Sequence, residues 1–477
     1  MAGAPHAEVF MPSRPILSRR LFLGQSLVSL LALPARPALA ENPAATGNFQ
    51  VLEAGDASLR LLPEPAEATA VWGYNGAVPG PLLRLKTGEE ARIRLVNKLS
   101  QPTTLSWHSL RVPNAMAGVA GLTQEAVPPG ASFDYRFTPR EPGLSWYHPH
   151  VLEHIGEQIG RGLHGVVIVD EAEPPAIDKD LLLLIADWKL GETGAIDGDF
   201  ASLSEARGKG RIGQLVTLNS EPVPVPRIMP PGSRLRLRIV SAVTARIMLL
   251  TFNGLRPLVL AVDGQPCEAF EPVRQTIPIG PGARFDIMVD LPPEPGAEAD
   301  VTLRGVGEED RVLLTLKTSG AKRDPLPPIG SLAQNPLLPP VIRLEKARKI
   351  DLVFEPNGGA TKTASPGEHP VAWAINGTAK AGFPAKPLFS VKRGTPVSLG
   401  FVNRTGQVQQ VRVHGHCVRL LHDLDDGWEP YWRDAVLVPE GRTKRVAFVA
   451  DNPGKWPIEC LVAARQASGL ATWFEVT

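Results

Sequence analysis

The chain has 477 residues, a net charge of +1 and 21% charged residues. That length suits about three domains of roughly 150 residues, each large enough to bury its own core. So even a charge balance excludes the basic surface that nucleic-acid binding needs and the acidic excess of a disordered chain. The 48 prolines and 45 glycines are dispersed among apolar runs, as turns between short strands would be.

At the N-terminus, Ser18-Arg19-Arg20-Leu21-Phe22-Leu23 precedes an apolar stretch and the small-residue pattern Ala38-Leu39-Ala40. This is a signal peptide of twin-arginine type. Its apolar run is far shorter than the roughly 20 residues of a spanning helix. The expectation is a leader at 1–40 and a mature chain from near Glu41, in the periplasm, with no integral membrane segment.

Three glycines then open similar alternating runs. Gly88 precedes Ala91-Arg-Ile-Arg-Leu-Val-Asn97, Gly232 precedes Arg234-Leu-Arg-Leu-Arg-Ile-Val-Ser241, and Gly394 precedes Thr395-Pro-Val-Ser-Leu-Gly-Phe-Val-Asn403. Each run has the two-residue period of a half-buried strand. A second set follows at Gly130-Ala-Ser-Phe-Asp-Tyr-Arg-Phe137, Gly282-Ala-Arg-Phe-Asp-Ile-Met-Val289 and Gly441-Arg-Thr-Lys-Arg-Val-Ala-Phe448. The repeat, without a long helical stripe, predicts an all-β chain of three tandem β-sandwiches. The proline-rich joints near Glu171 and Asp324 divide it into 41–172, 173–325 and 326–477. Cys267, Cys417 and Cys460 are too few for a disulfide framework, and a Cys417–Cys460 pair is left open.

The first domain carries Trp72-Gly-Tyr-Asn-Gly76, Val78-Pro-Gly-Pro-Leu82, Trp107-His108 and Trp146-Tyr-His-Pro-His150. The third carries His414-Gly-His416, Trp432-Arg-Asp434, Ala450-Asp-Asn-Pro-Gly-Lys-Trp-Pro457 and Trp473-Phe-Glu475. Together these resemble the multicopper oxidases of three cupredoxin domains, from about Asn48 to Thr477. The resemblance implies Greek-key cupredoxin folds, with copper in the third domain and at its interface with the first. Residues two apart on a strand share a face, so each H-x-H of that family can send two imidazoles into one cavity.

Carried over position by position, the resemblance implies a depleted ligand set. His108, His148, His150, His414 and Cys460 match ligands. Ser106 and Arg412 stand at the type 2 positions, Gln409 and Arg465 at the type 1 histidines, Glu459 and Leu461 beside Cys460, and Leu470 at the axial place. Ala117 and Gln466 stand where the family usually has an acid. A guanidinium does not ligate a cupric ion and repels it. The surviving candidates for metal are therefore His108, His148, His150, His414, Glu459 and Cys460, and no residue is assigned a catalytic role. His150, His414 and Glu459 form a donor set that suits one divalent ion such as zinc, iron(II) or copper, unless Arg412 pairs with Glu459 instead. Cys460 is read as a small buried relic. His154, His164, His416 and His422 are read as structural and His369 as solvent-facing.

Three functions follow from the resemblance. The first is a non-catalytic periplasmic binding or scaffold protein, acting on other periplasmic proteins like the copper-free member that protects the division machinery. The second is an oxidoreductase of unusual copper ligation or a mononuclear metalloenzyme. The third, a copper chaperone, is disfavoured because the six methionines are scattered.

Overall fold

A computed structural model describes residues 49–305, 309–358, 369–422 and 427–477. The twin-arginine segment lies outside the described residues. Among the described residues six sheets are present, drawn in pairs from three successive stretches of chain: two four-stranded sheets between Gln50 and Asp170, a seven- and a five-stranded sheet between Lys179 and Thr318, and two five-stranded sheets between Arg348 and Val476. The described helices are short, at Ile155–Gly160, Leu203–Arg207 and Ala463–Ala467, besides single turns of 3₁₀ helix.

The repeated landmarks are paired strands. In each sandwich the first glycine-led run lies antiparallel to the second, with Ala91 opposite Phe137, Arg234 opposite Asp290, and Thr395 opposite Ala450. On its other edge the first run pairs parallel with the strand that opens its sandwich, Gln50–Leu59, Lys179–Trp188 or Arg348–Pro356. The chain changes direction ahead of these strands at positive φ, 82° at Gly88 and 77° at Gly130, a conformation that costs a side chain about 1–2 kcal/mol.

Two of the three runs depart from the half-buried expectation: Val397–Phe401 is buried without a break, and the middle run departs furthest. Ala91–Asn97 alternates between buried and partly exposed, but every residue of Arg234–Ser241 is buried. The reason is a ladder of arginines whose polar face is covered: Arg234 binds Asp290 at 2.6 Å, Arg236 binds Asp286 at 2.6 Å and also Glu171, and Arg238 binds Asp180 at 3.0 Å. Buried arginines of this kind are tolerated only when paired.

The middle sandwich has a core of its own, around Leu235, Leu250, Phe252 and Ile287. The first and third share a single apolar cluster that runs from Leu52, Tyr74 and Trp107 to Phe401, Trp456 and Phe474. Arg111 to Asp451 at 2.9 Å, Asn114 to the Lys455 carbonyl at 2.7 Å and Asn452 to the Val112 carbonyl at 3.1 Å tie the same two sandwiches. The candidate site lies where they meet.

Candidate functional site

Two strand ladders bring the candidate residues together. Ser106–His108 lies antiparallel to Gly143–His148, with Ser106 opposite His148, and His150 follows two residues on. In the third sandwich Gln409–Val413 lies antiparallel to Gly454–Cys460, with Arg412 opposite Glu459 and Val411 opposite Cys460. Directly opposed residues share a face of the sheet, so the alternation sends Arg412 and Glu459 to one side and Cys460 to the other.

On the first side, Glu459 Oε1 accepts from His150 Nε2 at 2.8 Å and from His414 Nε2 at 2.6 Å. One donor atom from each of these three buried residues lies within 4.8 Å of the other two. Gln466 Nε2 is 3.4 Å from His150 Nε2. Burial opposes the charge on Glu459, but the two imidazoles hold its carboxyl well below the usual range. Burial, and then the nearby Arg412, push His414 down to about 4. At neutral pH the carboxylate is ionised and His414 is neutral, the protonation states in which both groups ligate metal.

His108 and His148 form a second pair, Nδ1 to Nε2 at 3.4 Å. His148 Nδ1 faces the Pro149 carbonyl at 2.8 Å, which directs Nε2 toward His108. Burial holds both well below 6.5. Leu461, an alkyl side chain, lies on the same flank: a Cβ on Gly282 would meet His108 Cε1 at 2.6 Å and Leu461 Cδ1 at 3.1 Å.

The alternative pairing of Arg412 with Glu459 does not form. Arg412 Nε lies 3.6 Å from Asp434 Oδ2, which also takes a hydrogen bond from Arg284 at 2.9 Å and lies 3.7 Å from His108 Nε2. Glu459 is already occupied by two imidazoles, and Asp434 is the carboxylate left within reach. Arg284 and Asp263, from the middle sandwich, complete this buried cluster. Asp434 and Arg284 stood in quoted motifs without a role at the site, and Asp263 gave no signal, because all three reach it only through tertiary contact.

On the opposite side of the strand, Cys460 donates its S–H to Gln409 Oε1 at 3.1 Å. Arg465 donates to that same oxygen at 3.0 Å, to the Val408 carbonyl at 2.6 Å and to the Gly208 carbonyl at 2.8 Å. Burial pushes the Cys460 thiol up, against the lowering effect of Arg465. Leu470 is fully buried. All three cysteines are free, so Cys417 and Cys460 do not pair.

The remaining histidines stand apart from the cluster. His416 packs among Phe448, Trp456 and Phe474; His164 is buried; His154 precedes the helix Ile155–Gly160; His422 is exposed. His369, expected to face solvent, is half-buried with Nε2 against the Glu153 carbonyl at 2.9 Å. That contact sets His369 against the first sandwich, which its loop-like surroundings in the sequence concealed.

The multicopper oxidase family models match residues 59–174 and 353–477. A solved multi-copper oxidase from Pseudomonas thermotolerans is 31% identical, with a TM-score of 0.79 over 90% of this chain and 98% of that one. The chain belongs to the multicopper oxidase family. The multicopper oxidase MmcO of Mycobacterium tuberculosis is similar along its length, 28% identical over 95% of this chain and 96% of the relative. The cell division protein FtsP of Proteus mirabilis is 28% identical over 53% of this chain and 56% of its own. Among the described residues no helix is long and apolar enough to cross a membrane.

Proposed function

We propose that this chain is an exported member of the family that does not run the four-copper oxidase cycle and acts as a non-catalytic binding or scaffold protein for other periplasmic proteins. The observation that carries the reading is the environment of Cys460. An amide oxygen and a guanidinium occupy its neighbourhood, and a permanent cation hydrogen-bonded at that place opposes a cupric ion. Arg412 has the same effect at the type 2 position. The family's copper set does not fit these residues, so no electron relay is drawn through them. The partial likeness to a cell division protein supports a role without turnover. The test is oxygen consumption by the copper-treated protein with phenols or cuprous ions. The reading expects none, and copper-dependent turnover would overturn it. For export, replacing Arg19 and Arg20 by lysine is expected to leave the precursor in the cytoplasm, because the pair is a receptor-read address; unchanged export contradicts that route.

A second reading is favoured by one observation, the convergence of His150, His414 and Glu459. Two imidazoles and a carboxylate are a donor set for a single zinc, iron(II) or copper(II) ion. A bound ion at a hundred times its dissociation constant adds about 2.7 kcal/mol of stability. Melting curves in chelator and in each of the three metals test it: a shift with one of them is expected, and no shift with any ends the metal reading.

A further inference from the structure

Among the described residues, Arg412 is a buried charged group with two donors left unmet. Its side chain is 3% exposed, and its Nε and Nη1 are buried with no hydrogen-bond partner. A guanidinium stays protonated in a protein, and leaving its donors unmade in the interior costs several kcal/mol. The neighbouring carboxylates do not meet this demand. Asp434 is 3.6 Å away and is held by Arg284, Asp263 turns its oxygens to the backbone N–H groups of Arg284, Asp434 and Ala435, and Glu459 accepts from His150 and His414. Arg412 and Glu459 nevertheless stand directly opposite each other on paired strands. Arg412 therefore presents unused donors on the face of the sheet that holds the candidate metal ligands. His108 Nε2 is likewise without a hydrogen bond.

We propose that the site takes a small oxyanion of the carboxylate class together with the divalent ion, one oxygen ligating the ion and the other accepting from Arg412. This rests on the metal reading above. Arg284 and Arg412 face Asp263, Asp434 and Glu459, so an anion alone would enter a cluster that already holds three carboxyl groups. A divalent ion reverses that balance, and Arg412 then serves as the second anchor. The two ligands assist each other, and by linkage the oxyanion tightens metal binding by the same factor as the metal tightens oxyanion binding.

The experiment is calorimetric titration of zinc perchlorate into chelator-treated, full-length mature protein, with and without excess formate. Zinc is expected to bind about tenfold more tightly in formate, the size of one charge-assisted hydrogen bond pair. In Arg412→Met, zinc binds at least as well as in wild type without formate, because a nearby cation has gone, and the formate effect disappears. Arg412→Lys, with circular dichroism as the check on folding, keeps the charge and is expected to retain only a fraction of the effect. Zinc binding that ignores formate overturns this inference and leaves the metal reading standing. No zinc binding in either buffer overturns this inference, and the melting curves with iron(II) and copper(II) then decide the metal reading separately. An equal formate effect in wild type and Arg412→Met assigns the anion to the metal alone and overturns the role of Arg412.

Discussion

Glu459 holds two imidazoles through a single oxygen, and its other oxygen is buried without a partner. Replacing it by glutamine keeps the shape and removes the charge. In chelator, Glu459→Gln is expected to lose about 1–3 kcal/mol, since hydrogen bonds to a charged acceptor become neutral ones, and any metal-induced melting shift should vanish. An unaltered melting point in chelator would show that the carboxylate contributes nothing to the metal-free fold. A second residue-scale effect concerns His164, which burial pushes down to about 4 from 6.5. The unfolded chain takes up this proton first, so the stability is complete above 6.5 and is lost as pH falls to about 4. The amount is about 3 kcal/mol. Urea midpoints measured across that range should fall more steeply for wild type than for His164→Gln, and parallel curves would contradict the assignment. At this scale the ligand types were legible and their partners were not. His150, His414 and Glu459 could be named from spacing and resemblance, whereas Asp434 meets Arg284 across 150 residues of chain, a contact that no local pattern encodes.

Strands carry most of what the sequence made legible. The six glycine-led runs were visible because a turn glycine followed by alternation has one simple structural meaning, and they pair with one another in all three sandwiches. The alternation misled at Arg234–Ser241, where a polar face is buried by paired arginines. Polarity marks an exposed face only when no opposite charge covers it. Equivalent turns also differ in what surrounds them. A Cβ on Gly441, at φ 63°, meets nothing within 4 Å, whereas one on Gly282, at φ 74°, meets His108 at 2.6 Å. Gly441→Ala is expected to cost about 1–2 kcal/mol for its backbone alone. Gly282→Ala should cost about 1–3 kcal/mol more, because the His108 ring must move in a packed interior. Thermal or urea unfolding of the two variants measures the difference, and equal losses would mean that the contact relaxes freely.

Across the whole molecule, the apolar cluster shared by the first and third sandwiches is what holds the candidate histidines in one place. His108, His148 and His150 come from one sandwich, and His414, Glu459, Arg412 and Cys460 from the other. A metal, where the family has one, closes that seam. Here buried ion pairs of Arg412, Asp434, Arg284 and Asp263 run along the same seam and bring in the middle sandwich as well. The β-sandwich class was legible because each repeat announces itself locally. The seam was not, since it depends on how three sandwiches meet. The central claim is that the seam, and the pocket of Cys460 behind it, no longer take the copper set of the family. Purified protein, loaded with excess copper and desalted, tests this directly by metal analysis alongside its visible spectrum. The account predicts no intense copper–thiolate band and at most one tightly held ion per chain; a blue protein holding several coppers per chain would contradict it.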